Sequence, residues 1–201
     1  MISTERKRAG ASERKASILA AGMAVLERKD YRDITMEEVA REAGVAKGTP
    51  YLYFPTKEKL FTVLAVDMRA RALETWRQLW ETSPPGVGRL KAFVRQQLEF
   101  FESHKGVFLQ IMRGNLPTLV PGKDKGCAEM IGMNIDYMRK ALAEAAKLGQ
   151  VRDLDPHTAA VALFGVVRGF AIIRIVGNMG GSLTKRFDDI WDVFFRGVAP
   201  E

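Results

Sequence analysis

Thr35-Met36-Glu37-Glu38-Val39-Ala40-Arg41-Glu42-Ala43-Gly44-Val45-Ala46-Lys47-Gly48-Thr49-Pro50-Tyr51-Leu52-Tyr53-Phe54 is the stretch on which the fold turns. It opens with a capping box, in which the Thr35 hydroxyl accepts from the Glu38 amide and the Glu38 side chain reaches back. A helix from Met36 to about Glu42 follows, and Gly44 permits the left-handed turn that stops it. Val45 anchors that turn, and a short helix runs from about Lys47 to Tyr53. Two short helices across a tight Gly-containing turn make a helix-turn-helix. The front of the second helix reads Ala46-Lys47-Gly48-Thr49. Small residues there let a backbone approach a major groove, Thr49 suits a base edge or thymine methyl, and the exposed amides suit phosphate.

Outward from this unit the chain reads as helix throughout, with apolar residues at three- and four-residue spacing and no strand-like alternation. On the N-terminal side a helix is predicted from near Ser12 to about Lys29, with Ile18, Leu19, Met23 (or Gly22) and Leu26 facing inward. On the C-terminal side Pro55-Thr56 breaks the short helix, and Thr56 caps a long fourth helix to about Glu81. Ser83-Pro84-Pro85-Gly86 is a firm breaker. Helices are then expected over 88–103, 105–113 and about 126–148, with Asn115 to Lys125 as an irregular segment. Asp155-Pro156 gives a cap and a first-position proline to a helix reaching about Val176. A loop from Gly177 to Ser182 precedes a last helix over about 183–198.

The stretch from Arg14 to Leu64 resembles the tetracycline-repressor (TetR) family of bacterial regulators. Ile18-Leu19 with Ala20 and Ala21, Ile34-Thr35, Val39-Ala40, Ala43-Gly44-Val45, Lys47-Gly48-Thr49, Tyr51-Leu52-Tyr53-Phe54 and Thr56-Lys57-Glu58 with Leu60 carry the resemblance without a gap. Two positions depart from it. Pro50 stands where the family has an aliphatic residue, in a first turn where a missing amide hydrogen costs little. Ala46 replaces the commoner Ser or Thr and removes a cap. The resemblance implies an all-α fold: a three-helix DNA-binding domain over residues 1–56, and a helical effector-binding and dimerisation domain over 57–201, entered by the long fourth helix. It also implies a repressor, released from a palindromic operator in double-stranded DNA by a small-molecule effector. Tyr51 and Tyr53 are placed toward DNA and Lys57 on phosphate; with Thr35, Lys47, Gly48 and Thr49 these form the expected DNA-binding set. Phe54 is expected in the core.

Two further sets come from the C-terminal half. Ala162, Gly165, Val166, Gly169, Phe170 and Ile173 recur on one helical face, as do Phe187, Ile190, Trp191, Phe194, Phe195 and Val198 on the last helix. These stripes are the expected homodimer interface, and in the resembled family the corresponding helices form a four-helix bundle across a two-fold axis. The Gly165–Gly169 pair also reads as close packing against a neighbouring helix of the same chain. Trp76, Trp80, Phe101, Phe108, Met112, Met133 and Tyr137 are large apolar residues mixed with the isolated polar Gln97, Gln110, Arg113 and Asn134. Such a mixture suits an effector pocket, with the fourth helix as the lever toward Lys57, or else simply fills a core.

Composition narrows the function classes less. A net charge of +7 is compatible with DNA, RNA or an anionic membrane. Residues 1–57 hold 11 Lys and Arg against 8 Asp and Glu, and the remainder hold 20 against 16, so the excess is spread along the chain. Arg6-Lys7-Arg8 is the local basic cluster. The lone cysteine, Cys127, excludes an intrachain disulfide, fits a reducing compartment, and reads as an inert small residue. The apolar run from Ala159 to Val176 carries Arg168 and Arg174 and reads as a buried helix, so no membrane contact is expected. With no leader-like start, a cytoplasmic protein is expected. His104 and His157 are too distant to suggest a metal site, and no cofactor or nucleophile motif is found, so no catalytic residue is assigned. Against the regulator stand a helical ligand-binding protein or enzyme with a vestigial helix-turn-helix, and an adaptor recruited by protein partners. Small, polar and basic residues at the groove-facing positions favour the regulator.

Overall fold

The computed structural model describes the backbone of residues 2–113, 125–177 and 180–198, and the side chains of 10–113, 128–177 and 180–198. Among these residues the structure is helical without strands: α1 (Ile2–Arg28), a 3-10 turn (Tyr31–Asp33), α2 (Met36–Glu42), α3 (Thr49–Tyr53), α4 (Lys57–Thr82), α5 (Val87–Ser103), α6 (Lys105–Met112), α7 (Lys125–Lys147), α8 (Pro156–Ile175), a second 3-10 turn (Thr184–Arg186) and α9 (Phe187–Val198). Most boundaries fall where the caps put them. Two starts do not. α1 begins at Ile2, well before Ser12, so that Arg6-Lys7-Arg8 is helical, although the side chains of that cluster, like that of Cys127, lie outside the described residues. α3 begins at Thr49, two residues after Lys47, with Gly48 as its cap and Pro50 in its first turn. Pro50 has no amide hydrogen to lose and is buried, so it fixes the start of this short helix at little cost. The irregular segment expected from Asn115 lies outside the described residues up to 124, and Lys125 already opens α7.

The chain makes two hydrophobic cores. The first gathers Ile18, Ala21, Val25 and Leu26 of α1 with Ile34, Met36, Val39 and Phe54. It reaches past residue 56 to take Leu60, Phe61 and Leu64 from α4, and it takes Val107 from α6. The second begins on the far half of α4 at Ala72 and Trp76 and fills the space among α5, α7, α8 and α9. Phe54 belongs to the first core as its spacing predicts.

α6 ties the cores together. The Gly106 amide donates to Glu27 Oε2 at 2.7 Å. A Cβ at Gly106 would meet the backbone of Glu27, with its Cα 2.6 Å away, so glycine is needed for this approach. Three residues on from Val107, Gln110 accepts from the Tyr31 amide at 3.4 Å through its buried Oε1.

The capping box of α2 is formed in full. The Thr35 hydroxyl accepts from the Glu38 amide at 3.2 Å, and Glu38 accepts from the Thr35 amide at 3.0 Å. Lys29 also donates to Glu38 at 2.6 Å. The Lys29 ammonium, followed by the Thr35 amide, pulls the Glu38 carboxyl down to about 2 from an ordinary 4.5. A depressed carboxylate stabilises the fold fully above its unfolded value, and that contribution fades as pH falls toward the folded value. The expected result is that wild type exceeds Glu38→Gln in urea midpoint at pH 6, with the gap closing between pH 4.5 and about 2. A gap unchanged by pH would remove the carboxylate from the account.

Candidate functional site

α2 and α3 meet across a turn closed by Gly44, whose φ of 67° lies in the left-handed region. The Val45 amide donates to the Ala40 carbonyl at 3.0 Å and holds the turn. The front of α3 is solvent-facing: Ala46, Lys47 and Gly48 are exposed and Thr49 is half-buried. Gly48 has a negative φ, and a Cβ built there would meet nothing within 4 Å. Neither backbone strain nor internal packing asks for glycine, so the missing side chain leaves room for something outside the chain. Lys47 projects into solvent and sits 3.3 Å from Glu37, an exposed pair that contributes little to stability. The Glu37 carboxyl is held below its ordinary value by its own backbone amide and then by Lys47. Tyr51 is 45% exposed and Tyr53 is half-buried against the first core.

Leu52, which sequence reading did not single out, is 83% exposed on α3. A leucine left almost fully in water on the outer face of this helix fits an apolar contact such as a thymine methyl. The signal was available: Leu52 precedes the Tyr53-Phe54 pair that packs inward, so helical spacing turns it out.

Lys57 stands differently from expectation. Its ammonium donates to the carbonyls of Tyr31, Arg32 and Ile34 at 2.9, 3.3 and 3.0 Å. It also sits 4.6 Å from the centre of the Tyr31 ring. An ammonium has three N–H donors, so in this conformation all are committed to closing the α1–α2 connection, and none remains for a phosphate. Thr35 is likewise occupied as a cap, at the exposed start of α2.

A second site lies in the C-terminal half: a cavity of about 460 Å³ between α4, α5, α6, α7 and α8. Of the expected pocket residues, Trp76, Gln97, Phe101, Phe108, Met112 and Asn134 line it. Trp80, Gln110, Arg113, Met133 and Tyr137 do not. Trp80 packs edge-on to Tyr137 at 5.2 Å with Arg89 over its face. Tyr137 stacks on Phe93 at 4.1 Å, where burial pushes its hydroxyl up to about 12. Gln110 and Arg113 turn away toward Tyr31 and Asp30. Met133 is exposed. The wall instead takes Met68, Arg69, Phe100, Phe164, Arg168 and Ile172, among others. The last three recur every fourth residue on α8. That row was masked in sequence by the apolar stripe beside it.

That stripe is left open. On α8, Ala162 and Gly165 are exposed, Val166, Gly169 and Phe170 half-buried, and Ile173 45% exposed. A Cβ at Gly165 or Gly169 would meet nothing within 4 Å, so the glycine pair does not pack against a helix of this chain. The matching stripe on α9 is corrected. Phe187, Ile190, Trp191, Phe194 and Val198 are buried in the second core, because α9 turns its strongly apolar face onto α5 and α8, and Phe195 is half-buried beside it. The outer face of α9 presents Val193, 67% exposed. α8 is long and apolar enough by length and composition to cross a membrane. Its buried residues nevertheless pack in the core, and Arg174 pairs with Glu102 at 2.9 Å. Among the described residues no cluster of His, Cys, Asp and Glu could hold a metal.

Residues 18–64 match the family model of bacterial regulatory proteins, tetR family. An uncharacterized HTH-type transcriptional regulator of Bacillus subtilis, YhgD, is 27% identical over 155 residues, 75% of this chain and 78% of that protein. The transcriptional regulator EthR of Mycolicibacterium smegmatis is 31% identical over 94 residues, 47% of this chain and 42% of EthR. A protein from Saccharomonospora viridis solved with choline has the same fold, with a TM-score of 0.79 and 21% identity over 94% of this chain and 100% of that one.

The inward ammonium gives Lys57 a structural test. Lys57→Ala is expected to lower unfolding free energy in urea by about 1–3 kcal/mol, the loss for charge-assisted bonds to carbonyls. A lysine serving phosphate alone would leave that value unchanged.

Proposed function

We propose that this chain, a member of the TetR family of DNA-binding transcription regulators and not an enzyme, is a homodimeric repressor that a small molecule releases from a palindromic operator. The observation that carries the reading is the double duty of α6. Phe108, Ile111 and Met112 line the cavity, while Gly106, Val107 and Gln110 dock on α1 and the α1–α2 connection. A molecule that fills the cavity pushes on the same eight-residue helix that holds the DNA-binding unit. The division of labour is residues 1–56 for DNA and 57–201 for effector and dimer, in a cytoplasmic protein.

DNA contact is assigned to Lys47, Gly48, Thr49, Tyr51 and Tyr53, with Thr35 and Lys57 holding the elements around them. Dimerisation is assigned to the open face of α8, from Ala162 through Gly165 and Gly169 to Ile173. The exposed apolar residues of that face, Val161, Ile172, Ile173 and Val176, favour burial against a second surface. A two-fold partner covers them and presents two α3 helices to half-sites one or more turns apart. A relative of this fold holds choline, which supports a small-molecule role for the helical half.

Two outcomes test the reading. Against an operator selected from random sequence, Thr49→Ala is expected to change base preference, and Lys47→Ala to weaken all sequences alike, with the log–log salt slope reduced by about one unit. An unchanged titration for both removes α3 from the DNA. Ile173→Glu, on an already exposed position, is expected to keep its helical circular dichroism and sediment as a monomer at micromolar concentration where wild type is a dimer. A wild-type monomer would refute the assembly.

A further inference from the structure

The effector cavity proposed above has one unmet polar demand. Asn134 lines it and is 8% exposed. Its Nδ2 donates to the Met130 carbonyl at 2.7 Å, which fixes the amide's orientation and leaves Oδ1 as the opposite, accepting end. That oxygen is buried and has no partner. Of the other polar groups there, Trp76 Nε1 donates to Gln96 Oε1 at 3.2 Å, Gln97 Nε2 donates to the same oxygen at 3.1 Å, and Arg168 lies 5.4 Å from the centres of the Phe101 and Phe164 rings, with Arg69 on the same wall. A buried acceptor left unmade costs free energy, whereas an apolar residue of similar shape would cost none. Leucine would fill this position on α7 at no such penalty, so an asparagine here is explained by a donor that arrives from outside the chain.

The rest of the wall defines the remainder of that visitor. Trp76, Phe101, Phe108 and Phe164 surround the space with aromatic carbon. Among the described residues the wall contributes no carboxylate and carries the guanidiniums of Arg69 and Arg168, so a cation entering it would meet like charge with no counter-charge, which offsets what the aromatic faces offer it. About 460 Å³ falls in the range of small-molecule sites.

Resting on the reading of this cavity as the effector site, the geometry points to an apolar ligand without positive charge whose single hydroxyl donates to Asn134 Oδ1, an alkylphenol or a comparable hydrophobic alcohol. Asn134 Oδ1 is the buried acceptor on this wall that lacks a partner, so it gives a hydroxyl its direction beside Arg69, Gln97 and Arg168, while the aromatic wall supplies affinity.

The test uses the full-length protein and three probes on one skeleton: 4-octylphenol, its methyl ether, and 4-octylphenyl-trimethylammonium, each followed by calorimetric titration and thermal shift. The phenol is expected to bind about tenfold tighter than the ether, the ratio for one hydrogen bond made in a dry site. The ammonium probe is expected to bind weaker than either. Asn134→Leu should melt higher than wild type without ligand and bind phenol and ether alike. Equal binding of phenol and ether to wild type, as when a water already satisfies Oδ1, overturns the hydroxyl assignment, and ammonium binding as tight as phenol overturns the charge assignment. Met130→Trp, which fills the cavity from its wall, separates the two levels. If it abolishes binding of all probes, the cavity stands whatever the preference among them. If phenol binding survives in Met130→Trp, or no probe binds wild type, the cavity as effector site fails along with the ligand class.

Discussion

The contact between Gly106 and the backbone of Glu27 is the constraint on which both halves of the molecule depend. It exists because residue 106 has no side chain: a Cβ would overlap Glu27 and lift α6 away from α1. With α6 seated, Val107 enters the first core and Gln110 reaches the Tyr31 amide. The same seating places Phe108 and Ile111 on the cavity wall. The two cores are therefore not independent packings joined by α4 alone. They share a short helix with one face in each.

This changes where the lever lies. The sequence suggests α4, since one helix runs from Lys57 at its start to Trp76 near the second core. In the structure Lys57 is turned inward and closes the α1–α2 connection on the carbonyls of Tyr31, Arg32 and Ile34. Gln110 of α6 takes the amide of that same Tyr31. Tyr31 is thus held from two sides, by α4 through its carbonyl and ring and by α6 through its amide. A displacement of either helix therefore reaches the unit carrying α3 at Tyr31, as well as through the first core and the Gly106–Glu27 contact. To switch such a unit nearly completely, a ligand must favour one arrangement by on the order of 5 kcal/mol.

Much of this was legible in the chain because local chemistry dictated it. The Thr35–Glu38 box, the Gly44 turn, the Thr56 cap and Asp155-Pro156 each require only neighbours within a few residues, and each appears where its residues stand. Spacing also located Phe54 in the core. What was not legible depended on which of two faces a helix turns to which neighbour. Tyr137 and Trp80 are as aromatic as Phe101 and Phe108, yet they stack with Phe93 and Arg89 while the latter pair borders open space. The start of α1 was not legible because the polar, charged stretch before Ser12 has no apolar periodicity, and the helix runs through it regardless.

The two terminal helices show the same limit in a sharper form. α9 carries a narrow, strongly apolar face, and a single face can be buried only once; it is spent on the second core, which leaves Val193 and charged residues outside. α8 is apolar on most of its circumference, interrupted by Arg168 and Arg174, and so has surface for three uses at once. Leu163, Val167 and Ala171 enter the core, Phe164, Arg168 and Ile172 border the cavity, and Gly165 and Gly169 remain uncovered. Because Ile172 lies between the cavity and the open face, a partner helix seated on Gly165 and Gly169 would close one edge of the cavity. On the proposed reading, ligand entry and the packing of two copies would then compete for the same few side chains.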